Sequence, residues 1–464
     1  MIAIFRNKLK RIVANLKSER VKLNFMQGLP YWTASLLAGL LAVLYAKLFA
    51  WVEEANIFFL HTYKWSLLVI TPVCFILGWW TIKRFSPFAR GSGIPQIMAS
   101  IELATPKEHN KIDRMLSVRV IVVKIISSLI MVFGGAIIGR EGPTIQIAGS
   151  VFRTVNKYLP SWWPRISKKN MIITGAAAGL AAAFNTPLGG IVFAVEELSK
   201  THISYFKTAL FTAIIVAGLT AQALLGPYLY LGYPDVTHLS SIVFVWVILL
   251  AIIGGLFGSG VSKLMLYIMN WKSRFTKKYQ NIFYLIIGGV LIALAGIFIH
   301  SDAIGSGKSV MTGTLFTPNK YVPWYLPFVR IAGLITSFTA GAAGGVFAPS
   351  LSIGASFGSW IAGLLHLSLT DTNLVILVGM VSFLTGVTRS PFTSAILVLE
   401  MTDRHNVIFY LMLAGLLANL VSLLIDRHSF YDHLKVGYLK EINHVDTSAE
   451  KPVPEIISTD KDNF

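Results

Sequence analysis

Residues 134–146 read GGAIIGREGPTIQ, which sets a charged pair, Arg140 and Glu141, inside an apolar run, between glycines and ahead of Pro143. In water such a pair would mean little, so the solvent around it decides its meaning. Of the 464 residues, 54% are hydrophobic and 13% charged, the latter about half the roughly 25% of a soluble domain. Uncharged stretches at 208–234, 240–262, 282–299 and 408–425 each reach or exceed the roughly 18 residues of a membrane-span candidate. Four such runs in one chain make an all-α polytopic membrane protein, and an ionisable pair within an apolar run of such a protein is a functional candidate by default.

The net charge of +18 would point to nucleic acid in a soluble protein. Here it collects at the ends and between apolar runs, as Lys and Arg do on cytoplasmic flanks. Residues 1–28 carry Arg6, Lys8, Lys10, Arg11, Lys17, Arg20 and Lys22 against the single acid Glu19. This segment is expected to be a basic amphipathic lead-in lying near anionic headgroups on the cytoplasmic side. The first long apolar run starts near Tyr31, so no secretory signal peptide is read. Cys74 is the one cysteine and sits among apolar neighbours, which makes it a packing residue.

Working outward, several apolar segments are too short to cross a bilayer alone. Pro95–Leu103, Pro187–Glu196 and Pro391–Glu400 hold nine or ten residues, about half of a spanning helix. The chain also matches itself. A slide of 204 residues pairs Gly175 with Gly379, Leu180 with Leu384, Pro187 with Pro391 and Glu196 with Glu400. A slide of 206 pairs Gly139, Pro143, Ile147 and Ser150 with Gly345, Pro349, Ile353 and Ser356, and GSG occurs at 91–93 and again at 305–307. Two repeated halves with Gly- and Pro-interrupted short helices point to a transport site near the bilayer midplane.

Three stretches share one design: GSGIP (91–95), GREGP (139–143) and GVFAP (345–349). Each is a glycine turn ending in a proline that can open a helix. Helix starts present unpaired N–H groups and the positive end of the dipole, so several converging on one point make an anion site of partial charges. Such a site binds firmly enough for an ion to enter and weakly enough for it to leave. Gly91, Gly93, Ile94, Pro95, Gly139, Arg140, Gly142, Pro143, Gly345, Ala348 and Pro349 are the expected helix starts along the path, with Ser92 supplying a hydroxyl.

In this order and spacing, GSGIP, GREGP and GVFAP resemble the signature stretches of the CLC chloride channels and chloride/proton antiporters, over about residues 30–440. The resemblance implies a homodimer with one pore per subunit, each built from two inverted repeats of tilted, partly discontinuous helices. It implies that Ser92 and Tyr431 coordinate a central anion by their hydroxyls, with the backbone N–H groups of Val346 and Phe347 completing the cradle. Glu141 becomes the external gate and proton acceptor: a tethered carboxylate that competes with chloride until protonation releases it. Glu197, in GIVFAVEEL, falls at the position of a cytosolic proton-transfer glutamate. Arg140 either anchors the turn, draws anions, or pairs with a nearby acid. Glu196 is expected to accept from buried backbone or basic groups.

Gln96 stands where many relatives carry Glu, removing one acid near the site, whereas Ser92 and an intact GREGP favour chloride over nitrate or fluoride. The expected function is exchange of chloride for protons in a bacterial inner membrane with both termini cytoplasmic, and a passive chloride channel is the alternative. The expected organisation is a lead-in (1–28), a first repeat (29–200), a second repeat (201–443) and a short tail (444–464). No cofactor, metal or nucleic-acid partner is expected, nor an enzyme. IGSGKS (304–309) fails as a phosphate-binding loop because Asp302 stands where glycine is required. No HExxH or His/Cys cluster of metal spacing occurs.

Overall fold

A computed structural model describes residues 19–199, 207–226 and 229–449. Most of the basic lead-in and of the C-terminal tail lies outside them. The described residues are helical apart from turns and two isolated backbone bridges. Eight of the helices are long and apolar enough to cross a membrane.

In chain order the first half contains α1 (Glu19–Thr62), α2 (Leu67–Phe85), α3 (Ile94–Glu102), α4 (Val118–Phe133), α5 (Glu141–Lys157), α6 (Lys168–Phe184), α7 (Pro187–Phe193) and α8 (Lys207–Leu225); the expected boundary at residue 200 is corrected by α8, which packs on α1, α6 and α7 and so belongs with the first half. The second contains α9 (Val243–Ser273), α10 (Lys278–Phe298), α11 (Lys308–Phe316), α12 (Tyr325–Thr339), α13 (Phe347–Leu364), α14 (Leu369–Thr388), α15 (Pro391–Thr402), α16 (Ile408–Ile425) and α17 (Phe430–Ala449). The helix α1 runs unbroken through residue 28 with Pro30 inside it, so no backbone break separates the lead-in from the first span. At 31 residues, α9 is about 46 Å long, more than the roughly 30 Å hydrocarbon layer, and its last turns, which carry Lys263 and Lys272, can extend beyond it.

Glycine sets the close crossings. A Cβ at Gly354 would lie 2.2 Å from the carbonyl oxygen of Gly379, and one at Gly379 would lie 2.3 Å from that of Gly354. The helices α13 and α14 therefore touch backbone to backbone, the small-residue contact that helices in lipid favour. Gly254 and Gly258 of α9 seat against Ser382 and Phe383 of α14 in the same way. Within its span window α14 is 94% buried, against 28% for the window that includes α16. The former is thus a central strut and the latter a peripheral helix.

The two halves pack alike: α5 on α6 as α13 on α14, α6 with α8 as α14 with α16, and α1 with α8 as α9 with α16. Their relation is inverted. Glu400, late in α15, accepts from the N–H groups of Leu188 (3.0 Å) and Gly189 (2.6 Å) in the first turn of α7. Glu196, just beyond α7, accepts from those of Phe392 (3.1 Å) and Thr393 (2.7 Å) in the first turn of α15, and from the Thr393 hydroxyl (2.7 Å). Each short helix therefore starts where its counterpart ends, so the equivalent helices run antiparallel. The expected role of Glu196 as an acceptor from backbone is met in this way, with Glu400 as its mirror.

Candidate anion site

The three glycine turns converge. Gly139 and Gly345 exchange both backbone bonds (2.9 and 2.8 Å), tying the GREGP turn to the GVFAP turn head to head. Gly91 donates to the carbonyl of Ala342 (2.8 Å) and accepts from Gly344 (3.2 Å), tying the GSGIP turn to the same strip. Gly93 caps α3 at φ 104°, a conformation glycine adopts without strain. A methyl there would also strike Gln146 Cβ at 2.6 Å. A helix start leaves four backbone positions without a partner inside the helix, and Pro95, Pro143 and Pro349 each remove one N–H from that set, so the starts of α3, α5 and α13 each present three amides.

Ser92, Tyr431, Val346 and Phe347 are all buried. Tyr431 opens α17, and its ring stacks on Phe347 with centroids 6.3 Å apart. The helix α17 is held against the first half by a two-pronged Arg90–Glu441 bridge (3.1 and 2.5 Å) and by Lys435–Glu102 (3.3 Å). The Ser92 and Tyr431 hydroxyls approach one another without hydrogen-bond geometry, and neither has another partner among the described residues. Buried hydroxyls are nearly always satisfied, so two neighbouring ones without a partner are an exception to the rule.

Glu141 is the first residue of α5 and only 1% exposed. Its carboxylate lies against its own backbone N–H and that of Ala348 in the first turn of α13, and 4.0 Å from Arg140 Nε. The acid facing Arg140 is thus its own neighbour. Tyr230, which no sequence motif marks, donates its hydroxyl to Glu141 Oε1 (3.4 Å). The Lys308 ammonium sits 4.9 Å from the centre of the Tyr230 ring.

Glu197 is buried in a wider π-type turn (Ala194–Ser199) that continues α7, a local winding often found at functional sites. Ser390, the residue before α15, donates to its Oε2 (2.6 Å). Tyr431 lies within electrostatic reach of both Glu197 and Glu141.

A polar cluster that motif reading passed over supports the GSGIP turn from behind. The fully buried Lys124 donates to the carbonyl of Ala89 (3.0 Å) and to Gln146 Oε1 (2.5 Å). Gln146 Nε2 donates to the carbonyls of Phe88 (3.2 Å) and Met115 (2.9 Å). Gln96 Nε2 donates to those of Phe88 (3.1 Å) and Arg90 (2.6 Å). Both hydrogen-bond acceptors of Lys124, the Ala89 carbonyl and the Gln146 amide oxygen, are neutral.

The second GSG turn has the same backbone and different surroundings. Gly307 caps α11 at φ 88°, but Arg330 fills the space, donating to the carbonyls of Asp302 (2.5 Å), Ile304 (3.3 Å) and Gly305 (3.2 Å) and to Ser352 (3.0 Å). Glu53 accepts the Ser306 N–H (2.7 Å). One turn is therefore packed by the neutral side chain of Gln146 and the other by a buried guanidinium. Residues 354–358, GASFG, have the G-x-S-x-G spacing of a nucleophile elbow. They lie within α13, where Ser356 donates back to Ser352 O (2.8 Å), so no strand-to-helix elbow exists there.

Inverted halves, short paired helices and a buried turn cluster define the class: a membrane transport protein with its site where the halves meet. The model of the voltage-gated chloride channel family matches residues 73–423, and the chain belongs to that family. The H(+)/Cl(−) exchange transporter ClcA of Salmonella agona is 30% identical over 414 residues, covering 83% of each chain. That of Citrobacter koseri is 30% identical over 410 residues, covering 83% of this chain and 82% of the relative. Among solved structures, a slow cyanobacterial Cl−/H+ antiporter has a TM-score of 0.78 at 22% identity, covering 90% of this chain and 99% of that one. A CLC-type fluoride/proton antiporter has a TM-score of 0.72 at 21% identity, covering 89% and 98%.

Proposed function

We propose that this chain exchanges chloride for protons across a membrane. The observation that carries the reading is the seat of Glu141: a buried carboxylate resting on the start of α13, beside a pair of glycine turns locked head to head. In that seat it occupies a position for an anion, and a permeant anion and the carboxylate exclude each other by like charge. Protonation removes the charge, the side chain leaves, and chloride enters. Return of the side chain delivers the proton inward, which couples the two flows.

Chloride below the gate would be held by the Ser92 and Tyr431 hydroxyls and by the amides of Val346 and Phe347. The unpartnered hydroxyls support this, and so do the exchanger names of the relatives. Glu197, braced by Ser390, serves as the proton relay on the other side. The reading extends to a homodimer with one pore per subunit, packed through the peripheral helices α8 and α16, whose Ile215, Leu219, Leu416 and Leu420 are exposed. It also extends to an inner-membrane location with cytoplasmic termini.

The test uses proteoliposomes with a chloride gradient and clamped voltage. Uphill proton movement is expected in the wild type and absent in Glu141→Ala, and Glu197→Gln should pass chloride without protons. Chloride flow with no proton movement in the wild type would make the protein a passive channel.

A further inference from the structure

Beside the GSGIP turn, on the face that carries α17, lies a cavity of about 900 Å³, within the size range of small-molecule sites and far larger than one halide requires. Its walls are the ends of α2, α9 and α12, the start of α10, and α17. Six basic side chains line it, Lys83, Arg90, Lys263, Lys272, Lys277 and Lys278, against the single carboxylate of Asp426.

Two of the six are committed. Arg90 is bridged to Glu441, and Lys272 donates to the carbonyls of Thr339 (2.7 Å) and Ala340 (2.9 Å), closing the end of α12. Asp426 is taken by His433 (3.0 Å). The other four lysines, all exposed, form no ion pair with a carboxylate among the described residues. Lys83 rests over the Trp79 ring at 4.9 Å, and Lys277 lies 5.8 Å from the Tyr279 ring. Lysines that merely flank a span turn toward water separately. Here three elements, α2, α9 and the start of α10, bring four ammonium groups around one concavity that also has aromatic walls, Trp79 and Tyr438.

We propose that this cavity binds a multiply charged phosphate group, either free in solution or on a lipid headgroup. Several point charges on flexible stems suit the spread charge of a phosphate cluster better than a single halide. The cavity floor includes Arg90 and Gly341, which adjoin the Gly91–Ala342 backbone bond. An occupant would therefore stand between solution and the Ser92–Tyr431 pair and slow anion passage from that side. This last consequence alone rests on the transport reading; binding does not.

The probes are sodium tripolyphosphate, titrated calorimetrically into the purified full-length protein at fixed ionic strength, and mixed micelles of equal parts phosphatidylcholine and cardiolipin, whose headgroup carries two phosphates, with retained lipid read by mass spectrometry. Saturable binding of tripolyphosphate, or selective retention of cardiolipin, is expected. The variant carrying Lys263→Gln, Lys277→Gln and Lys278→Gln should bind about tenfold more weakly. Lys64→Gln, at the opposite end of α2, should bind as the wild type does. Whichever probe responds identifies the source of the phosphate. Binding of neither probe, or binding unchanged in the triple variant, overturns the proposal whether or not the protein transports chloride.

Discussion

Gly142→Ala tests the Ser92 hydroxyl without altering Ser92. A methyl at position 142 would lie 2.3 Å from Ser92 Oγ, 2.9 Å from its carbonyl oxygen and 3.2 Å from its Cβ. The hydroxyl can rotate aside, but the carbonyl belongs to a turn fixed by the Gly91–Ala342 and Gly344–Gly91 bonds. Ser92 must therefore turn away from Tyr431, and if the proposed site holds chloride, the ion loses one hydrogen bond. A hydrogen bond to a charged partner contributes about 1.5–3 kcal/mol, so the chloride Kd should rise about 10- to 150-fold. Chloride titration calorimetry in detergent at constant ionic strength measures it. Ser92→Ala should lose a similar amount, and the double variant should lose little more than either single, because both remove the same contact. Wild-type affinity in Gly142→Ala, or fully additive losses in the double, would refute the reasoning.

Three further substitutions probe the supports of the site. Glu196→Ala and Glu400→Ala each strip the acceptor from two helix-start amides and should each cost about 2–4 kcal/mol, seen as a lower unfolding temperature in detergent; unchanged unfolding would mean the carboxylates carry no load. Ser390→Ala removes the hydroxyl that braces Glu197 and should cut proton flux about tenfold while chloride flux persists, with Ser390→Thr restoring coupling. Equal loss of both fluxes would show that Ser390 supports the fold instead.

What could be read from the sequence was what glycine and proline encode locally. GSGIP, GREGP and GVFAP announce helix starts because their backbone demands are met within five residues, and the starts of α3, α5 and α13 follow. The pairing of Glu196 with Glu400 was visible as a repeat, but its reciprocal geometry was not, since a match of letters has no direction. Tyr230 was invisible because it reaches Glu141 across 89 residues from a loop without a motif. Ser390 reaches Glu197 across 193. The unequal fate of the two GSG turns depends on Arg330, a residue of α12 that no pattern ties to either turn.

The crossed carboxylates also impose a schedule on synthesis. The amides at the start of α7 emerge 211 residues ahead of the glutamate that receives Gly189, a delay of about 10–40 s at ribosomal rates of about 5–20 residues per second. Through that interval the nascent first half lies in the bilayer with a bare helix end that hydrocarbon cannot solvate. The final seating of α7 waits until α15 has emerged and turned the opposite way.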